Sequence, residues 1–554
     1  MNKIIIIIVI ILSISSLKAE WIEIAAKQDL FECKDSNLKN TKINFSLDGY
    51  QSESIKISDK TYTKISYPNE GEFLEFGKPD LPRFSRLIAI PDKGKPSIKI
   101  LSKESMIIED VIIYPRQNLK SDSQQSKQKF VIDNNYYSNG NNFPQNITRI
   151  GKPVIMRDYR VVNVTINPFS YNPQTKELTI YQNVEIEVET NGKAGENIKV
   201  TNRNKSKVLQ NYYNSTILNY KYLDKDKDEV QQPHYLFILP SYNTDEVDEA
   251  LEPLIAWKSQ KGFKITSEDL SNIGSSSNAL KNYIQEAYDE WDIPPDFVCL
   301  VGDADIGTYD IPTGFYGDGE GDQYFTLLEG NDILADIIIG RLSFESINQL
   351  ETIVAKILYY EKEPYIDNPD WFERALLVGD TAQSGQSCIT VNQYIKEIMT
   401  NYDSDFTFDE VYSGSFSSQM SSGLNEGVGY FNYRGWLGMS GFGESNIYSL
   451  NNGYMLPVTV SLTCATGNFS GSYGSISEAF LRAGTATIPK GGVAGIATAT
   501  SSTHTCFNNI IDAGIFSGIF DDNIFYLGGA LNRGKLALYN NYPDNPSNHV
   551  HEFS

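Results

Sequence analysis

The sequence predicts an α/β protein built from mostly parallel sheets with helices on both faces, preceded by an all-β N-terminal domain. Three observations predict it. From about residue 20 to 200, alternating stretches such as Ser54-Ile-Lys-Ile-Ser58, Ser97-Ile-Lys-Ile-Leu101 and Val184-Glu-Ile-Glu-Val-Glu189 are separated by Asn, Gly and Pro turns, with no long helical period between them. Beyond about 233, continuous apolar runs of strand length alternate with helical ones, the pattern of a sheet buried on both faces. Charge changes at the same place: residues 1–230 hold 33 Lys+Arg against 28 Asp+Glu, and residues 231–554 hold 14 against 42.

Four segments follow. Residues 1–19 read as a secretory signal, with a short basic start, the apolar run Ile4 to Leu12 and a small residue at Ala19. The apolar run is well short of the ~20 residues a spanning helix needs, and no other segment is long and apolar enough to span. Residues 20–200 form the β-rich domain, and 201–232, polar and charged, a linker open to proteases. Residues 233–554 form the α/β domain. Its strands are expected at 234–240, 263–266, 296–302, 335–341, 374–379, 427–434, 457–463 and 491–499. Helices are expected at 247–261, 276–291, 344–362, 388–401, 508–519 and 525–540.

The strong negative field of the second half argues against a nucleic-acid partner, which requires clustered cations, and suits basic peptides or calcium. Five cysteines, at 33, 299, 388, 464 and 506, are few and odd in number for an exported chain and do not form a disulfide framework. Cys464 or Cys506 is therefore a candidate reactive thiol. Cys464 closes the apolar strand Pro457-Val-Thr-Val-Ser-Leu-Thr-Cys464 just before a Gly turn, at the sheet edge where α/β active sites collect. Ser475-Ile-Ser-Glu478 then reads as a capping box opening a helix. A cysteine hydrolase needs a thiolate, a base and backbone N–H donors for the oxyanion.

Three ordered motifs bring a family into view. Asn331-Asp332-Ile-Leu-Ala-Asp336-Ile-Ile-Ile-Gly340-Arg341, Asn432-Tyr433-Arg434-Gly435-Trp436-Leu437-Gly438 and Ser461-Leu-Thr-Cys464-Ala-Thr-Gly467 together resemble the gingipain-type cysteine peptidases. These are secreted enzymes with a caspase-like catalytic domain behind a β-rich propeptide. The resemblance makes Cys464 the nucleophile and Asp336 the acid that orients the catalytic histidine. It makes the backbone N–H groups of Cys464 and Leu437 the oxyanion donors. The position of the family's histidine is Trp436, whose indole only donates and cannot take a thiol proton. Leu437 stands where the family usually has Gly.

Of the four histidines, at 234, 504, 549 and 551, only His504 follows a strand expected to lie beside that of Cys464, so it is the candidate replacement base. Capping the helix near Asn508 or lining a groove is its competing role. The carboxylates of Gly302-Asp303-Ala-Asp305 and Asp318-Gly-Glu320-Gly-Asp322 suit a structural calcium ion without EF-hand spacing, or a solvated acidic turn; no cofactor is expected in catalysis. The resemblance also implies a closing segment beyond Ser554, so the chain is a candidate fragment. The expected function is a secreted or cell-surface endopeptidase acting on polypeptides. It is made as a zymogen with its own prodomain docked on the acidic half, and cut near Arg203 to Lys207. The alternative is an inactive relative that binds peptides or partner proteins at the cell surface.

Overall fold

The structure is a computed structural model. It describes residues 19–122, 129–201, 203–223, 229–242, 244–304, 307–316, 319–471, 474–544, 549 and 552–553. The signal-like residues 1–18, the charged run 224–228, Asp305, Asp318 and His551 lie outside them.

The sheets of the N-terminal domain pair antiparallel throughout, with one short helix, Asn134–Asn139, beside them. One sheet runs Phe169–Asn172, Glu177–Asn191, Asn40–Ser46, Phe31–Ser36, with Lys95–Ile108 also paired to the long Glu177–Asn191 strand. A second contains Pro82–Ala89 and Tyr159–Ile166 as its central pair. Every residue of Tyr159–Ile166 is buried, so both faces of this strand are covered. Side chains alternate along a strand, and the two faces serve different cores. Val162, Val164 and Ile166 enter the domain's own core with Phe45, Phe84 and Phe169. Tyr159 and Val161 face the other way, into a core completed by Phe297, Ile338, Leu536 and Tyr539 of the second domain.

The second domain carries two all-parallel sheets. The first has the order Lys264–Asp269, His234–Leu239, Phe297–Val301, Ile338–Leu342, and the second the order Thr407–Val411, Arg374–Gly379, Tyr430–Arg434, Val458–Ser461, Ala494–Ala497. Alternation along Arg374–Gly379 shows why this strand is continuously apolar. Ala375 and Leu377 meet the helices Ser387–Tyr402 and Thr505–Phe520 on one face, while Leu376 and Val378 meet Met420, Leu424 and Phe480 on the other. The capping box forms, with Ser475 Oγ accepting from Glu478 N–H and the Glu478 carboxylate from Ser475 N–H.

Two expectations need correction. The strand Thr407–Val411 and the helix Phe416–Glu426 are additional elements. Thr407–Val411 is an edge strand with one buried residue, so it lacks the apolar run that marks its neighbours. The stretch 201–232 is packed in its described part: Lys205–Ser206 pairs with Val230–Gln231, and Tyr212 and Tyr213 of the helix Gln210–Thr216 are buried. Arg203 stacks 3.8 Å from the Tyr288 ring centroid, so the start of the expected cutting region is held, while Asn204 and Lys207 are exposed. Of the calcium-suited carboxylates, Asp303 accepts from Arg482 at 2.7 Å and both oxygens of Asp322 accept from Arg341, while Glu320 accepts from Ser470.

Candidate active site

Strands Tyr430–Arg434 and Val458–Ser461 are parallel neighbours, so both chains leave the sheet at the same edge. Thr466 folds the second exit back on itself, its hydroxyl contacting the carbonyls of Ser461 and Thr463, and Ala465 takes a left-handed conformation at φ 63°. Cys464 is thereby buried at the strand end, with Sγ 3.0 Å from Thr503 Oγ1. The two exits are joined by Gly438 N–H donating to the Cys464 carbonyl at 3.0 Å. Strand Ala494–Ala497 lies parallel to Val458–Ser461, and the segment after it carries Thr503 to the thiol.

A piece of the N-terminal domain crosses this edge. Ser121 pairs antiparallel with His504; Asp122 N–H donates to Thr503 O at 2.9 Å and Thr505 N–H to Lys120 O at 3.0 Å. Leu437, also left-handed at φ 39°, donates its N–H to the Asp122 carbonyl at 2.9 Å. The Asp122 side chain enters a pocket. Oδ1 accepts from Ser384 Oγ at 2.8 Å and Thr505 Oγ1 at 2.6 Å, and Oδ2 from Arg434 Nη2 and Asn508 Nδ2, both at 2.9 Å. The Asp122 and Arg434 side chains have no solvent exposure. Asn509 accepts from Arg434 Nε at 2.8 Å and fixes the guanidinium from behind.

The other expected site residues are distributed as follows. Trp436 is half-buried in a groove with Asp380 and Phe442, its Nε1 buried without an acceptor. His504 is extended (φ −101°, ψ 131°), and its neighbour Thr503 faces the thiol, so alternation turns the imidazole to the opposite side. There Nδ1 meets Glu552 Oε1 at 2.8 Å. As N-cap of the helix Thr505–Phe520, His504 makes no side-chain capping bond. Asp336 precedes strand Ile338–Leu342 of the other sheet, at its N-terminal end, whereas the exits that carry Leu437 and Cys464 follow C-terminal strand ends. Its carboxylate accepts from the N–H groups of Arg157, Leu328 and Glu329, and burial, then neighbouring Asp332, pushes its pKa up to about 8. The Asp336 carboxylate and His504 Nδ1 are thus committed to groups other than the thiol. All five cysteines are free, and burial pushes Cys506 well up.

Sequence reasoning missed Asp122, Thr503 and Glu552, which carry no motif. Arg434 had a signal, a charge closing an apolar strand two residues before Trp436.

Comparison with known proteins fits this arrangement. Residues 228–554 match the family model described as Peptidase family C25, and residues 30–227 match that of its propeptide, Propeptide_C25. Gingipain R2 of Porphyromonas gingivalis (strain ATCC BAA-308 / W83) is 26% identical over 473 residues, covering 83% of this chain and 63% of its own length. Lys-gingipain of strain ATCC 33277 of the same organism is 25% identical over 417 residues, covering 72% of this chain and 24% of its own length. The chain thus spans less than two thirds of these curated relatives. Among solved structures, the Arg specific cysteine proteinase gingipain R superposes with a TM-score of 0.51 at 24% identity, over 58% of this chain and 76% of that one. The complex of Porphyromonas gingivalis RgpB pro- and mature domains does so with 0.51 at 24%, over 57% and 77%. Two family models in the order propeptide then peptidase, on this fold, assign the chain: it belongs to peptidase family C25, a family of cysteine peptidases, and carries a C25 propeptide ahead of its C25 domain.

Proposed function

We propose that this chain is a secreted or cell-surface cysteine endopeptidase made as a zymogen, hydrolysing peptide bonds through a Cys464 thiolate and an acyl-enzyme. The observation that carries it is the course of Asp122: main chain paired antiparallel along 503–505, carbonyl on the Leu437 N–H, at the strand end that bears Cys464. That is how a substrate lies in a cleft. Attack by the thiolate on a carbonyl so held forms a tetrahedral intermediate whose oxygen the N–H groups of Leu437 and Cys464 stabilise. The amine then leaves with a proton, and water releases the acyl group. Export is supported by the basic, apolar and small-residue order of residues 1–19.

The base in this reading is His504. Its Nδ1 contact with Glu552 supports it, because an oriented imidazole keeps Nε2 to take the thiol proton. Loss of the 119–122 strand would remove the bonds to Lys120 and Asp122 while His504 stays tied to Glu552 through its N–H and Nδ1, and in this reading the segment then moves together with Glu552 to bring Nε2 to Cys464. Glu552 takes the orienting role expected of Asp336. The test uses protein whose prodomain has been proteolysed: an electrophilic peptide should label Cys464, His504→Ala should abolish labelling, and unaltered labelling of that variant rejects His504 as base.

A second reading, an inactive relative that binds peptides or partner proteins, is favoured by Trp436 at the family's histidine position. Binding of peptides without labelling or turnover would select it.

A further inference from the structure

The catalytic domain is strongly acidic, yet the pocket that receives residue 122 is cationic. Arg434 carries no solvent exposure, and its Nη2 meets Asp122 Oδ2 at 2.9 Å. At that range, out of water, a paired charge outweighs a distributed field that salt screens beyond ~8–10 Å. Each Asp122 oxygen receives two donors. An asparagine there keeps one acceptor and turns its NH2 towards donors; a lysine or arginine brings a like charge against Arg434. Glutamate is a methylene too long for donors 2.6–2.9 Å from the present oxygens.

We propose that Arg434, with Ser384, Thr505 and Asn508, forms a specificity pocket that selects an aspartate as the residue before the scissile bond. Asp122 fills it in the latent chain as a substrate's aspartate would. This rests on the reading of the cleft as a peptide site, and names its substrate class: peptides cut after Asp.

The test varies residue 122 in the full-length chain and follows alkylation of Cys464 by iodoacetamide, which reports how often the 119–122 strand lifts. With Asp122, alkylation should be slowest. The Asp122→Asn, Asp122→Lys and Asp122→Arg variants should react about 30-fold faster or more, the range for breaking a buried charged pair. Combining Asp122→Lys with Arg434→Glu should recover protection. In the Asp122→Ala chain, an acetylated peptide aldehyde ending in aspartate should protect Cys464 where lysine and arginine aldehydes do not. If Asp122→Ala fails to fold, the same aldehydes are tried on a chain with native side chains, cut at a protease site inserted within 124–127. Protection in the Asp122→Lys chain, or by the basic aldehydes, equal to that given by aspartate overturns the acidic pocket and leaves the peptide cleft standing. Equal alkylation of all variants, with no aldehyde protecting, overturns both.

Discussion

Thr503 Oγ1 lies 3.0 Å from the Cys464 sulfur, and the same hydroxyl accepts from Asn508 Nδ2 at 2.8 Å. Since Asn508 also donates to Asp122, thiol, hydroxyl, amide and prodomain carboxylate form one buried chain of contacts. Removing the hydroxyl takes one contact from each of two buried groups, the thiol and the Asn508 amide. Thr503→Val should therefore cost about 1–3 kcal/mol in urea unfolding, and Thr503→Ser should recover most of it. Loss below a few tenths in the valine variant would show the contact to be incidental.

Leu437 offers the Asp122 carbonyl only its backbone N–H, while its side chain is 47% exposed. Its φ of 39° is one that glycine adopts without a Cβ penalty. Leu437→Gly should leave stability unchanged or raised by up to about 1 kcal/mol and should keep slow alkylation of Cys464. Faster alkylation would show that the leucine side chain helps to hold the strand.

Arg157 of the prodomain is buried against the catalytic domain, donating to the carbonyls of Pro295 and Asp336 and lying 3.3 Å from Asp296. Arg157→Ala strands the Asp296 carboxylate and should destabilise the full chain by about 3–5 kcal/mol, visible as a lower melting temperature. Because this pair is buried, salt should change it little, whereas the exposed Arg149 contact with Asp544 should weaken.

Asp512 stands behind Arg434, accepting from Asn432, and burial raises it from 3.8 to about 7. Above about pH 4 the unfolded chain sheds this proton, while the folded chain keeps it to about pH 7. The group's contribution is thus level below the window and falls as pH rises through it. Buried His549, lowered from 6.5 to about 4, opposes it between those two values. Asp512→Asn should tilt the urea midpoint upwards between pH 5 and 7 relative to the parent. An identical slope would mean that Asp512 is already ionised at pH 5.

Much of the fold was legible because its strands are buried on both faces. Arg374–Gly379 and Phe297–Val301 read as apolar runs and occur where expected, and Ser475 with Glu478 announced a helix that forms. Thr407–Val411 escaped because an edge strand alternates weakly. Of the candidate site, Cys464 was legible as a strand exit, and Leu437 through the family resemblance. The side to which His504 points was not, since it depends on Thr503 taking the inward position of an extended segment. Asp122 was invisible because its partners lie more than 250 residues away, on Ser384, Arg434 and beyond.

In the zymogen proposed here, the core shared by Tyr159 and Val161 with Phe297, Ile338 and Tyr539 has a consequence for activation. Propeptide and peptidase are two stretches of one interior, so cutting between residues 224 and 228 would yield a two-chain particle that remains shut. Opening it requires the 119–122 strand to leave or the N-terminal half to be destroyed. The departing half would expose aromatic surface, Tyr159, Tyr213 and Tyr220 on one side and Phe297 and Tyr539 on the other.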